Sequence, residues 1–139
     1  MSKHCETFDH TADVGLAADG ETLAELFEAL AEGLAGVYCP PSSVRPAETR
    51  TVAVRAEDIE ALTVDFLSDV LAVLEVERFA VAGCRVTDVD ETHVAAELSG
   101  EPLDRAHHEI GMEVKAVTYH ELAIARDAHG WHGRVILDV

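Results

Sequence analysis

Apolar and polar positions along this chain follow two periods, and each change of period marks an element. Residues 7–18 carry two short extended segments. In the second, Val14, Leu16 and Ala18 alternate with Gly15, Ala17 and Asp19. That is the period of a half-buried strand, and Asp19-Gly20 signals a turn after it. From Thr22 the period becomes helical. Leu23, Leu26, Phe27, Leu30, Leu34 and Val37 form one apolar stripe, with Glu25, Glu28 and Glu32 on or near the other side. Thr22 and Glu25 have the spacing of a capping box. Pro40 and Pro41 forbid continuation, and the stretch from Cys39 to Pro46 reads as a loop within the domain.

Residues 49–56 alternate again, with Val52 and Val54 on one face. A second helix is predicted from near Asp58 to about Glu77. Its apolar arc, from Ile59 and Leu62 through Phe66, Leu67, Val70, Leu71, Val73 and Leu74, is broad enough to make it the more buried helix. Residues 79–89 and 92–98 predict a hairpin around Asp90-Glu91. Met112–Tyr119, Leu122–Arg126 and Trp131–Asp138 predict further strands, with a turn at Asp127–Gly130. Strands, helix, strand, helix and then strands predict an α+β fold, two helices packed on a mostly antiparallel sheet. There is no internal repeat or obvious linker, and 139 residues suit a single domain spanning 1–139. A domain of that size needs no disulfide staples.

Charge changes the picture most. Ten Lys and Arg face 27 Asp and Glu, for a formal net charge of −17. Such a surface repels phosphate backbones and anionic lipid, which argues against a broad nucleic-acid face. It favours cations or a basic protein partner, although solubility alone accounts for it. No segment approaches the ~20 consecutive apolar residues of a membrane helix. The opening MSKHCETFDH has neither the apolar core of a signal peptide nor the character of a transit peptide, so a cytoplasmic location is expected. Cys5, Cys39 and Cys84 are widely spaced and odd in number, which disfavours a zinc site or a disulfide framework. Cys39 and Cys84 read as small apolar residues and Cys5 as a candidate for exposure.

Candidate chemistry is sparse. The densest polar cluster near a strand is Asp9-His10-Thr11-Ala12-Asp13-Val14-Gly15. Its side chains suit metal ligation or acid–base work, but spacing alone favours a local turn. Asp138 follows the apolar run Val135-Ile136-Leu137. A strand-terminal Asp is usually solvated; alternatively it offers one oxygen to a hard cation, with a second from the carbonyl or terminal carboxylate of Val139. Lys115 is one of two lysines. In a strand it shares a face with Glu113, Val117 and Tyr119, as a cross-strand ion pair or as a docking cation. Asp65 and Asp69 lie four apart on the second helix, where a solvated face explains them. The histidines form no HExxH or Cys/His ligand set and read mostly as surface or loop residues. GxxxxGK[ST], GxGxxG and GxSxG are absent.

Three segments together resemble the archease family. The first is Asp9 to Gly15 followed by Thr22-Leu23-Ala24-Glu25-Leu26-Phe27. The second is Glu113-Val114-Lys115-Ala116-Val117-Thr118-Tyr119-His120. The third is Arg134-Val135-Ile136-Leu137-Asp138-Val139. The resemblance covers essentially the whole chain and implies an SHS2-like α+β fold. It implies an accessory protein, not an enzyme, that activates an RtcB-type RNA ligase in tRNA splicing and RNA repair. The activation it implies is of ligase guanylylation and turnover. By the same resemblance, Asp13 and Asp138, with the carbonyl of Val139, correspond to ligands of a divalent metal, Ca²⁺ in the first place and Mg²⁺ or Mn²⁺ as alternatives. Lys115 corresponds to a functional residue at the ligase interface, and His10 and Asp9 share the motif. Thr63 and Phe66 stand where Leu and Trp are common in the family. Two other readings remain: a chaperone or adaptor for another RNA-modifying enzyme, and a metal-dependent phosphohydrolase using Asp13 and Asp138.

Overall fold

The structure, a computed structural model, describes residues 3–10 and 13–139 and, of Asp9 and His10, the backbone only. The strands are β1 (Lys3–His10), β2 (Asp13–Gly20), β3 (Glu48–Arg55), β4 (Phe79–Val89), β5 (His93–Pro102), β6 (Ala116–Val117), β7 (Ala123–Asp127) and β8 (Gly130–Asp138). The helices are α1 (Leu23–Tyr38) and α2 (Ile59–Glu75), with a single 3-10 turn at Pro41–Ser43. The α+β order read from the sequence holds. The strands, however, divide into two antiparallel sheets. One runs β1-β2-β8-β6, with β7 also on β8, and the other runs β3-β5-β4.

Local chemistry sets the helix boundaries. Thr22 caps α1 by accepting the Glu25 amide at 3.2 Å, while the Glu25 carboxylate reaches back to the Glu21 amide at 2.8 Å. This is the capping box displaced by one residue at its return bond. Asp58 caps α2 through the Ala61 amide at 2.8 Å. The buried hydroxyl of Thr63 donates to the Ile59 carbonyl at 2.7 Å, which satisfies it within its own helix. Gly130 closes the β7–β8 turn at φ +124°, a conformation that side chains rarely adopt.

Both helices and both sheets share one core. Leu16, Leu26, Phe27, Leu30, Leu34, Phe66, Leu67, Leu98 and Leu137 are all fully buried within it. Phe66 meets Phe27 edge to face at 5.4 Å. The two helices are buried to a similar degree, so α2 is not the more buried of the pair. α1 packs against β1 and β2 of one sheet and β4 of the other. Its two central glutamates are not simply solvent-facing. Glu28 accepts the Val86 amide at 2.9 Å and Glu32 the Cys84 amide at 3.0 Å, which satisfies the outer edge of β4. Lys3 of β1 reaches the same two carboxylates at 3.5 and 3.2 Å. The acidic pair therefore joins the edges of the two sheets.

The strand expected over Met112–Tyr119 is reduced to Ala116–Val117. Gly111 and Met112 instead donate to the Tyr38 and Val37 carbonyls at the end of α1, groups a helix terminus leaves without partners. Only from Lys115 does the segment turn alongside β8.

Candidate functional site

β2 and β8 lie side by side in the centre of the larger sheet. Their register sets Asp13 opposite Asp138, Val14 opposite Leu137 and Leu16 opposite Val135. Val14, Leu16, Val135 and Leu137 are buried. β-strand alternation and register place Asp13 and Asp138 on a shared face, at one end of the pair. Asp138 is exposed and Asp13 half-buried. Like charges directly opposite in an antiparallel pair are destabilising. Among the described residues no Lys or Arg forms an ion pair with Asp138. Two carboxylates held together in this way are oxygen donors suited to a hard divalent cation. Val139, half-buried beside Asp138, offers its carbonyl as a third donor. These residues fit the cation that the sequence resemblance implied.

The Lys115 segment comes to the same end. The Lys115 amide donates to the Asp138 carbonyl at 2.7 Å, and Ala116 pairs with Asp138 in the β6–β8 register. Lys115 is exposed, but it does not share a strand face with Glu113, Val117 and Tyr119. Val114 and Val117 are the buried positions here, a spacing of three rather than two, and strand pairing begins only at Ala116. The backbone of His10 pairs with Asp13, and that of Asp9 with Val14. The side chains of Asp9 and His10, and the connecting Thr11-Ala12, lie outside the described residues.

A second polar constellation escaped sequence reading. His108, expected at the surface, is only 3% exposed. Its Nε2 lies 2.8 Å from the Glu101 carboxylate, and its Nδ1 accepts the Asp104 amide at 2.9 Å. The Arg45 amide also donates to Glu101 at 3.0 Å. These bonds, the Arg45 amide first and His108 second, hold the Glu101 carboxyl down at about 2. Glu101, His107 and His108 bring ligand atoms within 4.8 Å of one another, a metal-like grouping. The tautomer argues against a metal there. A backbone amide only donates, so Nδ1 of His108 must accept and Nε2 keeps the proton it gives to Glu101. The group is a closed hydrogen-bonded buttress. Adjacent histidines gave no sign of a partner seven residues upstream.

Other titratable groups are shifted by local partners or by burial. His132 on β8 lies 2.5 Å from Asp19 on β2 and 3.0 Å from Asp127 on β7. Asp19 first, and Asp127 after it, raise its pKa. On α2, burial and then Asp65 raise the Asp69 pKa. Burial pushes the Cys5 thiol up to about 11 and the Cys84 thiol to about 12. At neutral pH neither has the thiolate character a nucleophile needs. Cys5 is half-buried rather than exposed, and Cys39 and Cys84 are buried. No helix among the described residues is long and apolar enough to cross a membrane.

Comparison with known proteins gives one consistent result. The model of the archease protein family (MTH1598/TM1083) matches residues 5–139. A protein archease of Thermococcus gammatolerans is 38% identical, over 96% of this chain and 97% of its own. One from Methanosarcina barkeri is 33% identical, over 100% and 98%. The solution structure of Methanobacterium thermoautotrophicum protein 1598 superposes with a TM-score of 0.82 at 33% identity, over 97% of this chain and 98% of that one. A crystal structure from Thermotoga maritima, described as an archease and possible chaperone, shares the fold at a TM-score of 0.60 and 22% identity.

Proposed function

The chain belongs to the archease protein family, and from that premise we propose that it is an accessory protein that activates an RtcB-type RNA ligase in tRNA splicing and RNA repair. In this reading it promotes guanylylation of the ligase and sustains its turnover. It works through a divalent cation, Ca²⁺ in the first place, held by Asp13, Asp138 and the carbonyl of Val139. Lys115 faces the ligase beside that site, and His10 and Asp9 are candidates because they share the Asp13 motif. The observation that carries the reading is the register of β2 and β8. It sets two carboxylates from distant parts of the sequence against each other, oxygen donors suited to a hard divalent cation. Asp13, Asp138 and the Val139 carbonyl would hold the divalent ion, which would supply positive charge for phosphate oxygens. The chain's own residues position the oxygens and present Lys115 next to them.

The test is multiple-turnover ligation of a cleaved RNA by the cognate ligase with GTP and Mn²⁺. Wild-type protein, Asp13→Ala, Asp138→Ala and Lys115→Ala would be compared, each checked for folding by circular dichroism. Stimulation by wild type, lost in both folded aspartate variants, is the expected outcome. Lys115→Ala should lose stimulation while retaining cation binding by calorimetry. No stimulation by the wild-type protein would end the activator reading. Phosphate release from RNA or nucleotide without ligase would replace it with the phosphohydrolase.

A further inference from the structure

The two sheets end in different ways on the two sides of α1. On one side the outer edge of β4 is closed by the Glu28 and Glu32 carboxylates, which accept its Val86 and Cys84 amides. On the other side β1 is the last strand of its sheet. From Cys5 to Phe8 its amides donate to no such side chain among the described residues. An open strand edge is a row of donors and acceptors ready to pair with another extended chain.

A groove of about 800 Å³ runs along that edge. Cys5 to Phe8 of β1 form one side, Gly33, Gly36 and Val37 of α1 line it, and Gly111-Met112 form the far side. Met112 is 51% exposed, although its backbone is tied to the end of α1. The rim is acidic. Exposed Glu6 lines the groove, as does Glu32, whose carboxylate is already held by Lys3 and the Cys84 amide; among the described residues no Lys or Arg lines it, and the whole chain carries −17.

We infer that the β1 edge and its groove form a docking site for an extended segment of a partner protein in which Lys or Arg alternates with apolar residues. Main-chain bonds to β1 would add the segment to the sheet, and alternate side chains would enter the groove, as in strand addition generally. The alternating cations match Glu6 and the acidic surround. A second copy of this chain suits the edge poorly, since it would bring two strongly acidic surfaces and two copies of Glu6 together. The inference does not depend on the two-aspartate site or on the ligase.

The probe is a capped six-residue peptide alternating Lys and Val, titrated into ¹⁵N-labelled full-length protein, with a Glu/Val peptide as control. Amide shifts should cluster at Cys5–Phe8 and Gly111–Met112 with the Lys/Val peptide alone. Gly36→Leu tests the groove. A Cβ at Gly36 meets only Pro41, at 3.7 Å, and leucine is a better helix former than glycine, so the variant should fold. It should weaken binding by about tenfold or more, a change of roughly 1.4 kcal/mol. Three outcomes overturn the proposal: shifts scattered over the acidic surface, equal binding of both peptides, or full binding by Gly36→Leu. Shifts at β1 that grow with protein concentration and no peptide would do so too, by assigning the edge to self-association.

Discussion

Replacing Asp138 by Asn should stabilise the calcium-free protein and remove its stabilisation by calcium. In the β2–β8 register Asp13 and Asp138 are direct cross-strand partners, and Cβ atoms of such partners lie about 5 Å apart. Unit charges at about 5 Å repel by roughly 1 kcal/mol in water and about 3 kcal/mol near a protein surface. Asp138 is exposed, so solvent screening places the effect at the lower end, about 0.5–1 kcal/mol, as for other cross-strand pairs. Asn keeps the shape and removes the charge. For a domain of this size that gain raises the melting midpoint by roughly 2–4 °C. Calcium at about a hundred times its Kd should stabilise the wild-type protein by about 2.7 kcal/mol, a rise of roughly 10 °C. Differential scanning calorimetry of both proteins, first in EDTA and then in calcium, reads both effects. The reasoning fails if Asp138→Asn melts below wild type in EDTA, or if it keeps the full calcium shift. The first result would mean that the carboxylate has a favourable partner, and the second that the ion binds elsewhere.

Three further expectations test the fold around the site. Phe66→Ala removes a fully buried ring packed on Phe27 and should cost about 3–5 kcal/mol in urea denaturation; a loss below 1 kcal/mol would mean that α2 is loosely packed. The Glu101 carboxyl is depressed from its ordinary 4.5 to about 2, so its contribution is present above pH 4.5 and is lost as pH falls toward 2. The stability gap between wild type and Glu101→Gln should therefore close over that range, and a gap independent of pH would contradict the assignment. His132 is shifted the other way, above its ordinary 6.5. Its contribution is complete below pH 6.5 and fades as pH rises through the folded value; melting of wild type against His132→Gln across pH 5.5–8 should show the advantage at the acid end only.

What could be read from the sequence was local. The cap at Thr22, the helix start near Asp58, the apolar stripes of both helices and the period-two runs of β2 and β3 depend on residues within one or two turns of each other, and the structure places them accordingly. Glu28 and Glu32 were misleading because helical periodicity sees only one helix. A carboxylate off the apolar stripe reads as solvated, while the amides it accepts belong to a strand more than fifty residues away. Met112–Tyr119 was misread for the same kind of reason, since the Val37 and Tyr38 carbonyls draw its first residues away from β8. The pairing of Asp13 with Asp138 is a matter of register between the two ends of the chain. No spacing within either segment encodes it, and only family resemblance joined the two residues beforehand.

That register has a consequence for how the site forms. Side chains alternate along a strand, so a slip of one residue between β2 and β8 would turn Asp138 to the core face and Leu137 to solvent. Burial of Val14, Leu16, Val135 and Leu137 opposes every such slip, because each would expose several large apolar side chains at once. The hydrophobic core therefore fixes the position of the two carboxylates, although neither belongs to it. Lys115 is fixed by the same strand, through its amide bond to the Asp138 carbonyl. The divalent cation proposed for Asp13 and Asp138 would select this one register and would add its binding energy to the folded state alone. A partner that recognised an occupied site would consequently recognise a chain whose second and last strands, β2 and β8, are already paired.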